Sequence, residues 1–501
     1  MRFSGSAAMR EMDRIAIEEL GIPGETLMLR AAAGVAETAK QMLTPEHNSV
    51  LALCGSGNNG GDGIGAAALL CEAGYPAVCC MVGDPEKLSA DSRAMLARLR
   101  AAGGDLVAYE GPELLLQEWD LIVDALFGTG LSRPVGGKYA ALIEAVNGSG
   151  VPVLACDIPS GVSADTGEVL GCAVKADVTV TFNLPKTGQL LPPGTEYTGK
   201  LIVQDIGIPE QAKDRVTHVG EYVTGDMVRS WLPKRSRESH KGDFGKLLLL
   251  CGSVGFTGAA ALAAKAALRT GAGLVYLGVP EPVYPILAAK LDEPVVFPLP
   301  ANEAGQFSRK ALAEIRRRLP DMDACLAGPG MGRGADTAEI VDGILETASC
   351  PVLLDADGIN VLSGHIYRLD KARGPVVLTP HEGEFRRIGG DLSADRITAA
   401  GTCARACGVT VLLKGYRTVT AGPDGEIYVN STGNSGMATG GSGDVLSGIL
   451  ACLLGQRMEP AKAAAAAAWI HGAAGDLCAA RLGQRSMLPS DMIEALSEIL
   501  R

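Results

Sequence analysis

What most constrains this chain is an alternation of short β-prone segments with Ala/Leu-rich helical stretches, run twice along its length. SVLALCG (49–55), YPAVCCMVG (75–83), DLIVDALFG (120–128), VPVLACDIP (151–159), DVTVTF (177–182) and KLIVQDIG (200–207) are brief apolar runs. Helical stretches such as 64–73, 87–102 and 138–148 separate them, and two amphipathic helices over 11–43, split at GIPG (21–24), precede them. Such a series predicts βαβ units and a parallel sheet covered on both faces. The pattern lapses around 208–240, where IPEQAKDRV and LPKRSRESHKGD are rich in charge and carry Pro209 and Pro233. It resumes with KLLLLCGS (246–253) and continues through GLVYLGVP, ACLAGPGMG (324–332), PVLLDADG (351–358), PVVLTPHEGE (375–384) and VTVLLKGY (409–416). A Gly-rich SGMATGGSGD and a long helical region end it; the six-Ala run 463–468 there reads as close helix packing through small residues. At 501 residues the chain exceeds one ordinary core. The fold class expected is α/β with two doubly wound domains, residues 1–212 and 217–501, meeting near 215.

Charge and cysteine usage narrow the function. A formal net charge of −12 argues against a dedicated nucleic-acid binder, which needs clustered Lys and Arg over a broad face. An anionic small ligand is still compatible, because backbone N–H groups at a helix N-terminus can hold one locally. The 13 cysteines are scattered and form no paired CxxC units, so reduced, buried thiols are expected. Small buried hydrophobes are a better reading of Cys54, Cys71, Cys79 and Cys80 than a structural metal site. Glu11, Asp13, Glu18 and Glu19 interrupt any signal-like apolar stretch, and no uncharged run approaches the ~18 residues that span a bilayer. No membrane partner and a cytoplasmic location are expected.

GSGNNGGDG (55–63) follows a strand and opens a helix, so Gly55, Gly57 and Gly60 formally satisfy GxGxxG. A dinucleotide fold would also want an acid at the end of the next strand, ~20 residues on. Asp84 comes too late and Glu72 falls inside the intervening helix, which speaks against an NAD-dependent dehydrogenase. A plain tight turn explains the glycines but not Asn58 and Asn59, which with Asp62 add side-chain groups to an anion-binding turn. DALFGTGLSRP (124–134) and DIPSGVSADTG (157–167) end two further strands, and in an open α/β sheet all three turns face one crevice. There Asn59, Asp124 and Ser160 can surround a cation with hard oxygen ligands. Taken singly, Asp124 or Ser160 reads as a helix cap.

In this order NNGGDG, DALFGTGL, DIPSGV and FNLPKTG (182–188) resemble the NAD(P)H-hydrate epimerase domain over about the first 210 residues. The resemblance implies K⁺ held by Asn59, Asp124 and Ser160. It implies substrate contacts from Asn58, Asn59, Gly60, Gly61 and Asp62, from Gly128, Thr129, Gly130, Leu131, Ser132, Arg133 and Pro134, and from Asp157. The substrate it implies is a nicotinamide nucleotide hydrated at C6 of its reduced ring. Asp157 is the candidate base that moves the hydroxyl proton during inversion, with Lys186 as its partner.

In the second half, GNSGMATGGSGD (433–444) feeds a helix expected to start near Asp444; its N–H groups and dipole make an anion hole for a transferring phosphoryl group. Asp444 alone reads as an N-cap, which leaves the preceding glycines unexplained. KGYRT (414–418), after a strand, offers Lys414 and Thr418 to a phosphate, and no GxxxxGK[ST] sequence occurs. A late GxGD resembles the ribokinase-like superfamily. With HKGDFGKLLLLCGS (240–253), GFTGAA (255–260), GPGMG (328–332), DADG (355–358) and TPHEGE (379–384), the region from about 217 resembles the ADP-dependent NAD(P)H-hydrate dehydratase. The resemblance implies substrate contacts at Ala259, Gly330, His381 and Asp444. It implies ADP contacts at Lys414, Gly415, Tyr416, Arg417 and Thr418, and along Asn434, Ser435, Gly436, Met437, Ala438, Thr439, Gly440, Gly441, Ser442 and Gly443. His381 alone reads as a structural histidine; its PHEGE setting points to the site.

Together the two resemblances identify a bifunctional NAD(P)H-hydrate repair family, with ADP as co-substrate, Mg²⁺ beside the nucleotide and a homo-oligomer expected. Asp444 would accept the C6 hydroxyl proton while the GGSG amides stabilise the transferring phosphoryl, turning a poor leaving group into phosphate. Two other readings compete: a vitamin-precursor kinase on the same fold, against which the first half speaks, and a first half that only senses nucleotides.

Overall fold

A computed structural model describes residues 1–112 and 118–501. They fall into two compact units, Arg2–Gly220 and Glu221–Arg501, the latter joined by Met1.

The first unit is built on strands β1 (Val50–Cys54), β2 (Ala77–Met81), β3 (Asp105–Ala108), β4 (Leu121–Ala125), β5 (Val153–Cys156), β6 (Val178–Phe182) and β7 (Lys200–Gln204). They run parallel in the order β3-β2-β1-β4-β5-β6-β7. Central β1 and β4 are buried at every position, as expected of strands covered on both faces. Edge strand β3 escaped the sequence reading because Asp105 and Ala108 are exposed and its apolar pattern is weak. The helix after β1 begins at Asn58 rather than near 64, so NNGGDG is its first turn. A Cβ on Gly60 would run into the Gly55 carbonyl oxygen, which is why that turn admits only glycine there. The first amphipathic segment starts at Ser6, earlier than 11, and ends in a π-helical turn over Ile15–Glu19 before Gly24–Met42.

The second unit carries β8 (Gly220–Tyr222), β9 (Lys246–Leu250), β10 (Leu274–Pro280), β11 (Val295–Leu299), β12 (Ala324–Ala327), β13 (Val352–Leu354), β14 (Val376–Leu378), β15 (Thr410–Leu413), β16 (Val419–Ala421) and β17 (Ile427–Val429). Their order is β8-β17-β16-β15-β14-β13-β12-β9-β10-β11, parallel from β15 to β11 and antiparallel across β15-β16-β17. Pro298 disguised β11, and the hairpin β16-β17 is too short to announce itself around GPDG. Helices Thr257–Thr270, Ser442–Gly455, Pro460–Leu482 and Pro489–Ile499 pack on one another, with the alanines 463–468 buried among them. Small side chains let those helices approach closely and bury a wide apolar area. No helix among the described residues is long and apolar enough to cross a membrane.

Candidate functional site

The strand order of the first unit reverses between β1 and β4, and a cleft of about 740 Å³ opens there, lined by the segments that follow β1, β4, β5 and β6. Of the residues singled out in the sequence, Asn58, Asn59, Asp62, Gly128 to Arg133, Asp157 and Lys186 line it. Gly60 and Gly61 sit in the packed first turn of the helix instead, and Pro134 lies outside the lining on the surface.

Asp157 and Lys186 are in direct contact. The Lys186 ammonium donates to Asp157 Oδ1, to Thr181 Oγ1 (2.8 Å) and to the Phe182 carbonyl (3.0 Å), and the Phe182 N–H donates to the same carboxylate oxygen (3.1 Å). Only 1% of the Lys186 side chain is exposed. Asp157 has φ 63°, a left-handed conformation costing a non-glycine residue about 1–3 kcal/mol, which overdetermined surroundings must hold. The Gln189 amide supplies part of that hold through the Asp157 carbonyl (2.5 Å). A buried ion pair whose carboxylate reaches a cleft can shuttle a proton at a bound hydroxyl.

Behind the cleft, Asp124, the penultimate residue of β4, is wholly buried. Ser160 donates to it twice, from Oγ (2.6 Å to Oδ1) and from its N–H (2.8 Å to Oδ2), and the Leu126 N–H adds a third bond (3.3 Å). Burial pushes the Asp124 carboxyl up to about 6 against those hydrogen bonds, and no cationic side chain counters it. The Asn59 amide is buried with neither its oxygen nor its nitrogen partnered. A Cβ on Gly128 would rest 3.3–3.5 Å from the carbon and oxygen of that amide group, so the bare glycine backs onto it. A carboxylate without countercharge and an orphaned amide oxygen are the donors a monovalent cation takes.

The sequence reading missed the N-terminal wall of the cleft. Met9, Arg10, Asp13 and Ile17 line it from the first helix. Burial, reinforced by Asp157 and opposed by Lys186, pushes Asp13 up to about 6, and burial with Asp157 and Asp13 nearby holds Asp62 well above the usual carboxylate range. The i, i+4 spacing of Met9, Asp13 and Ile17 was the available signal, but only the fold shows that this stripe faces a cleft.

In the second unit the segments after β12, β13 and β14 converge. Asp355, buried at the end of β13, accepts from Lys414 Nζ (2.8 Å), Thr379 Oγ1 (2.9 Å) and Ser447 Oγ (2.7 Å). The Lys414 ammonium also lies 3.8 Å from Glu384 and beside Gly443, where an added Cβ would sit 3.7 Å from it. Despite its burial, Lys414 and these donors hold Asp355 below the usual carboxylate range.

Asp444 is one turn away. The helix begins at Ser442 and its N-cap is Gly441, at φ 96° with no side-chain cap, so Asp444 occupies the first turn and is not the capping residue. Burial and the Asp355 carboxylate, opposed by Lys414, push its carboxyl up to about 7. Ser442 meets His471 Nε2 at 3.3 Å, and burial pushes that imidazole down to about 4, leaving a neutral partner. Asp355, Thr379, Ser447 and His471 were not singled out in the sequence, although DADG and TPHEGE contain the first two.

The remaining expected contacts fall into two groups. Gly330, at φ 68°, abuts Ala259: a Cβ on it would lie 3.3 Å from the alanine's and 2.8 Å from that of Phe256. His381 caps the helix Glu382–Arg387, its Nδ1 accepting from the Gly383 N–H (2.9 Å), while its backbone N–H donates to the Glu384 carboxylate (3.0 Å). Its ring remains half exposed, so capping and ligand contact are compatible. In 414–418, the Thr418 hydroxyl donates back to the Gly415 carbonyl (2.9 Å), Arg417 donates to Tyr222 (2.6 Å) and the Ser431 carbonyl (3.0 Å), and Tyr416 is exposed. In 434–443, Asn434 donates to Asp476 (2.9 Å), Ser435 to Gln484 (2.8 Å), Met437 packs on Gly475, and Gly440 faces open space. Ala438 and Thr439 connect that short turn to Gly441.

Family models match both halves. Residues 24–188 match the YjeF-related protein N-terminus, and residues 247–498 match NAD(P)H-hydrate dehydratase. The bifunctional NAD(P)H-hydrate repair enzyme of Moorella thermoacetica is 41% identical over 99% of this chain and 96% of its own, and that of Escherichia coli is 34% identical over 98% and 92%. A ribokinase-like superfamily protein from Enterococcus faecalis is 26% identical, with TM-score 0.50, over 56% of this chain and 96% of its own. The ADP/ATP-dependent NAD(P)H-hydrate dehydratase from Bacillus subtilis, co-crystallised with ATP/Mg²⁺, is 32% identical with TM-score 0.48 over 56% and 97%. This chain belongs to the bifunctional NAD(P)H-hydrate repair enzymes.

Proposed function

We propose that residues 1–212 interconvert the R and S hydrates of NADH and NADPH at the Asp157–Lys186 cleft. Residues 217–501 then dehydrate the S form at Asp444, consuming ADP and releasing NAD(P)H, AMP and phosphate. The observation that carries the reading is Asp444: a carboxyl with a pKa near 7, in the first turn of a glycine-led helix, with no capping duty. A base is most effective when its pKa lies near the working pH.

In the dehydratase, Asp444 takes the proton from the C6 hydroxyl as its oxygen attacks the β-phosphorus and AMP leaves. The N–H groups of Gly440 to Gly443 receive the transferring phosphoryl. The C6–O bond then breaks with phosphate as leaving group, and loss of a proton from the adjacent carbon restores the reduced ring. Lys414, tied to Asp355, supports the charge at that turn. Mg²⁺ is assigned to the nucleotide's phosphates, whose charge it neutralises when bound; among the described residues no group of three or more His, Cys, Asp or Glu side chains is arranged to hold a metal. In the epimerase, Asp157 moves the hydroxyl proton while Lys186 fixes and balances it.

Asn59, Asp124 and Ser160 would hold K⁺, whose charge would balance the buried Asp124. Asp124→Ala is therefore expected to reduce K⁺ dependence and epimerisation together while dehydration of the S hydrate persists. Epimerisation rates titrated with KCl check this, and an unchanged K⁺ response would remove the site. The proposal includes a cytoplasmic location and self-association of the chain.

A further inference from the structure

Two of the four expected substrate contacts, Gly330 and His381, are bridged by a polar strip that carries two arginines. Asp357 accepts the Gly332 N–H through Oδ2 (2.9 Å) and Arg333 Nε through Oδ1 (3.0 Å). Asn360, at the other end of the helix Asp357–Asn360, accepts from Arg387 through Oδ1 (2.6 Å). Arg387 in turn lies beside His381: a Cβ on Gly383 would sit 2.8 Å from the imidazole and 3.6 Å from Arg387 Nη2. These residues follow three adjacent parallel strands, β12, β13 and β14, at the ends where ligands of such sheets bind.

The charge in this strip is unbalanced. Two guanidinium groups meet one carboxylate, Asp357, in a protein of net charge −12. Among the described residues the Arg387 side chain pairs with no carboxylate, and the one hydrogen bond it makes, to Asn360, fixes the plane of its fork while its other guanidinium N–H groups stay unpartnered. The Arg333 side chain is 64% exposed and anchored only through Nε. Guanidinium forks held in this manner suit the paired oxygens of a phosphate, which an ammonium grips less specifically. The ADP phosphates are assigned to the glycine-rich turn beside Lys414, so this second cationic position calls for a second phosphate.

We propose that Arg333 and Arg387 form a phosphate clamp that holds the dinucleotide substrate in the dehydratase site. The inference rests on the reading that Ala259, Gly330 and His381 border that substrate. The clamped group is either the pyrophosphate, common to both hydrates, or the ribose phosphate carried only by the NADPH form.

The test uses the full chain with ADP and Mg²⁺, and the S hydrates of NADH and NADPH assayed separately. Arg387→Ala and Arg333→Ala are each expected to raise the KM for hydrate by about 10- to 100-fold, the loss of a charge-assisted contact, with far smaller effects on kcat and on the KM for ADP. Arg387→Lys, which keeps the charge but not the fork, should recover only part of the loss. An equal effect on both hydrates assigns the clamp to the pyrophosphate, and an effect confined to the NADPH hydrate assigns it to the ribose phosphate. Hydrate KM values within twofold of wild type for both alanine variants overturn the clamp while leaving dehydration standing, as does a rise confined to the KM for ADP. If Arg387→Ala does not fold, Arg333→Ala decides, because its exposed side chain supports little packing. A wild-type chain that dehydrates neither hydrate would instead overturn the functional reading, and the clamp with it.

Discussion

Asp444→Asn is expected to stop dehydration almost completely, with kcat lower by about 10²–10⁴, while ADP binding and epimerisation continue. The substitution keeps the size of the side chain and removes only the proton acceptor. It cannot act through helix capping, because Gly441 and not Asp444 is the N-cap. Burial and the Asp355 carboxylate raise the Asp444 pKa to about 7, so the wild-type rate should fall as pH drops through 7 and the base becomes protonated. The stability consequence has the opposite direction. Between its ordinary value and 7 the folded protein binds the proton that the unfolded chain has released, so ionising Asp444 costs stability as pH rises through that range. Asn carries no such cost, and the variant should melt at pH 8 no lower than wild type. Single-turnover rates and thermal unfolding across pH 6–9 check both halves; near-wild-type turnover by the variant would return Asp444 to a structural role.

Lys186→Met carries the largest combined effect in the first half. The ammonium makes three hydrogen bonds within a buried cluster, and without it the Asp157 carboxylate has no countercharge. Removing one partner of a buried ion pair typically costs about 3–5 kcal/mol, because the other charge is left uncompensated. Epimerisation should fall by about 10²-fold or more, and the unfolding midpoint of the first half should drop, while dehydration of the S hydrate stays at its wild-type rate. A variant that unfolds like wild type would mean that the pair is not energetically coupled. One that epimerises normally would remove Lys186 from the chemistry.

The parts of this account legible in the sequence are those that strand ends and glycine spacing control. NNGGD, Asp124 and Asp157 lie at the ends of apolar runs, and the rule that strand ends in an open α/β sheet face one crevice is enough to group them; Asp444, in the second unit, is marked by the glycine cluster before it. The elements that went unread have weak or interrupted local patterns. Asp105 blurs an edge strand, Pro298 interrupts another, and β16 and β17 are only three residues each. Residues that join a site from far along the chain were harder still. Asp13 reaches the cleft from a helix that precedes the whole sheet, and Asp355 gathers Thr379, Lys414 and Ser447 from three separate segments. Nothing in DADG alone says which aspartate is buried. The Gly332–Asp357–Asn360–Arg387 relay is likewise invisible until three parallel strands set those loops side by side.

If one chain carries two separable reactions on the same damaged nucleotide, a single time course separates them. A mixture of the R and S hydrates of NADH is incubated with ADP, Mg²⁺ and K⁺ while NADH absorbance is followed for the wild type, Lys186→Met and Asp444→Asn. Wild type is expected to recover all the NADH, Lys186→Met to halt at the S share, and Asp444→Asn to recover almost none. Full recovery by all three proteins, or a wild-type trace that halts at the S share, would contradict that separation.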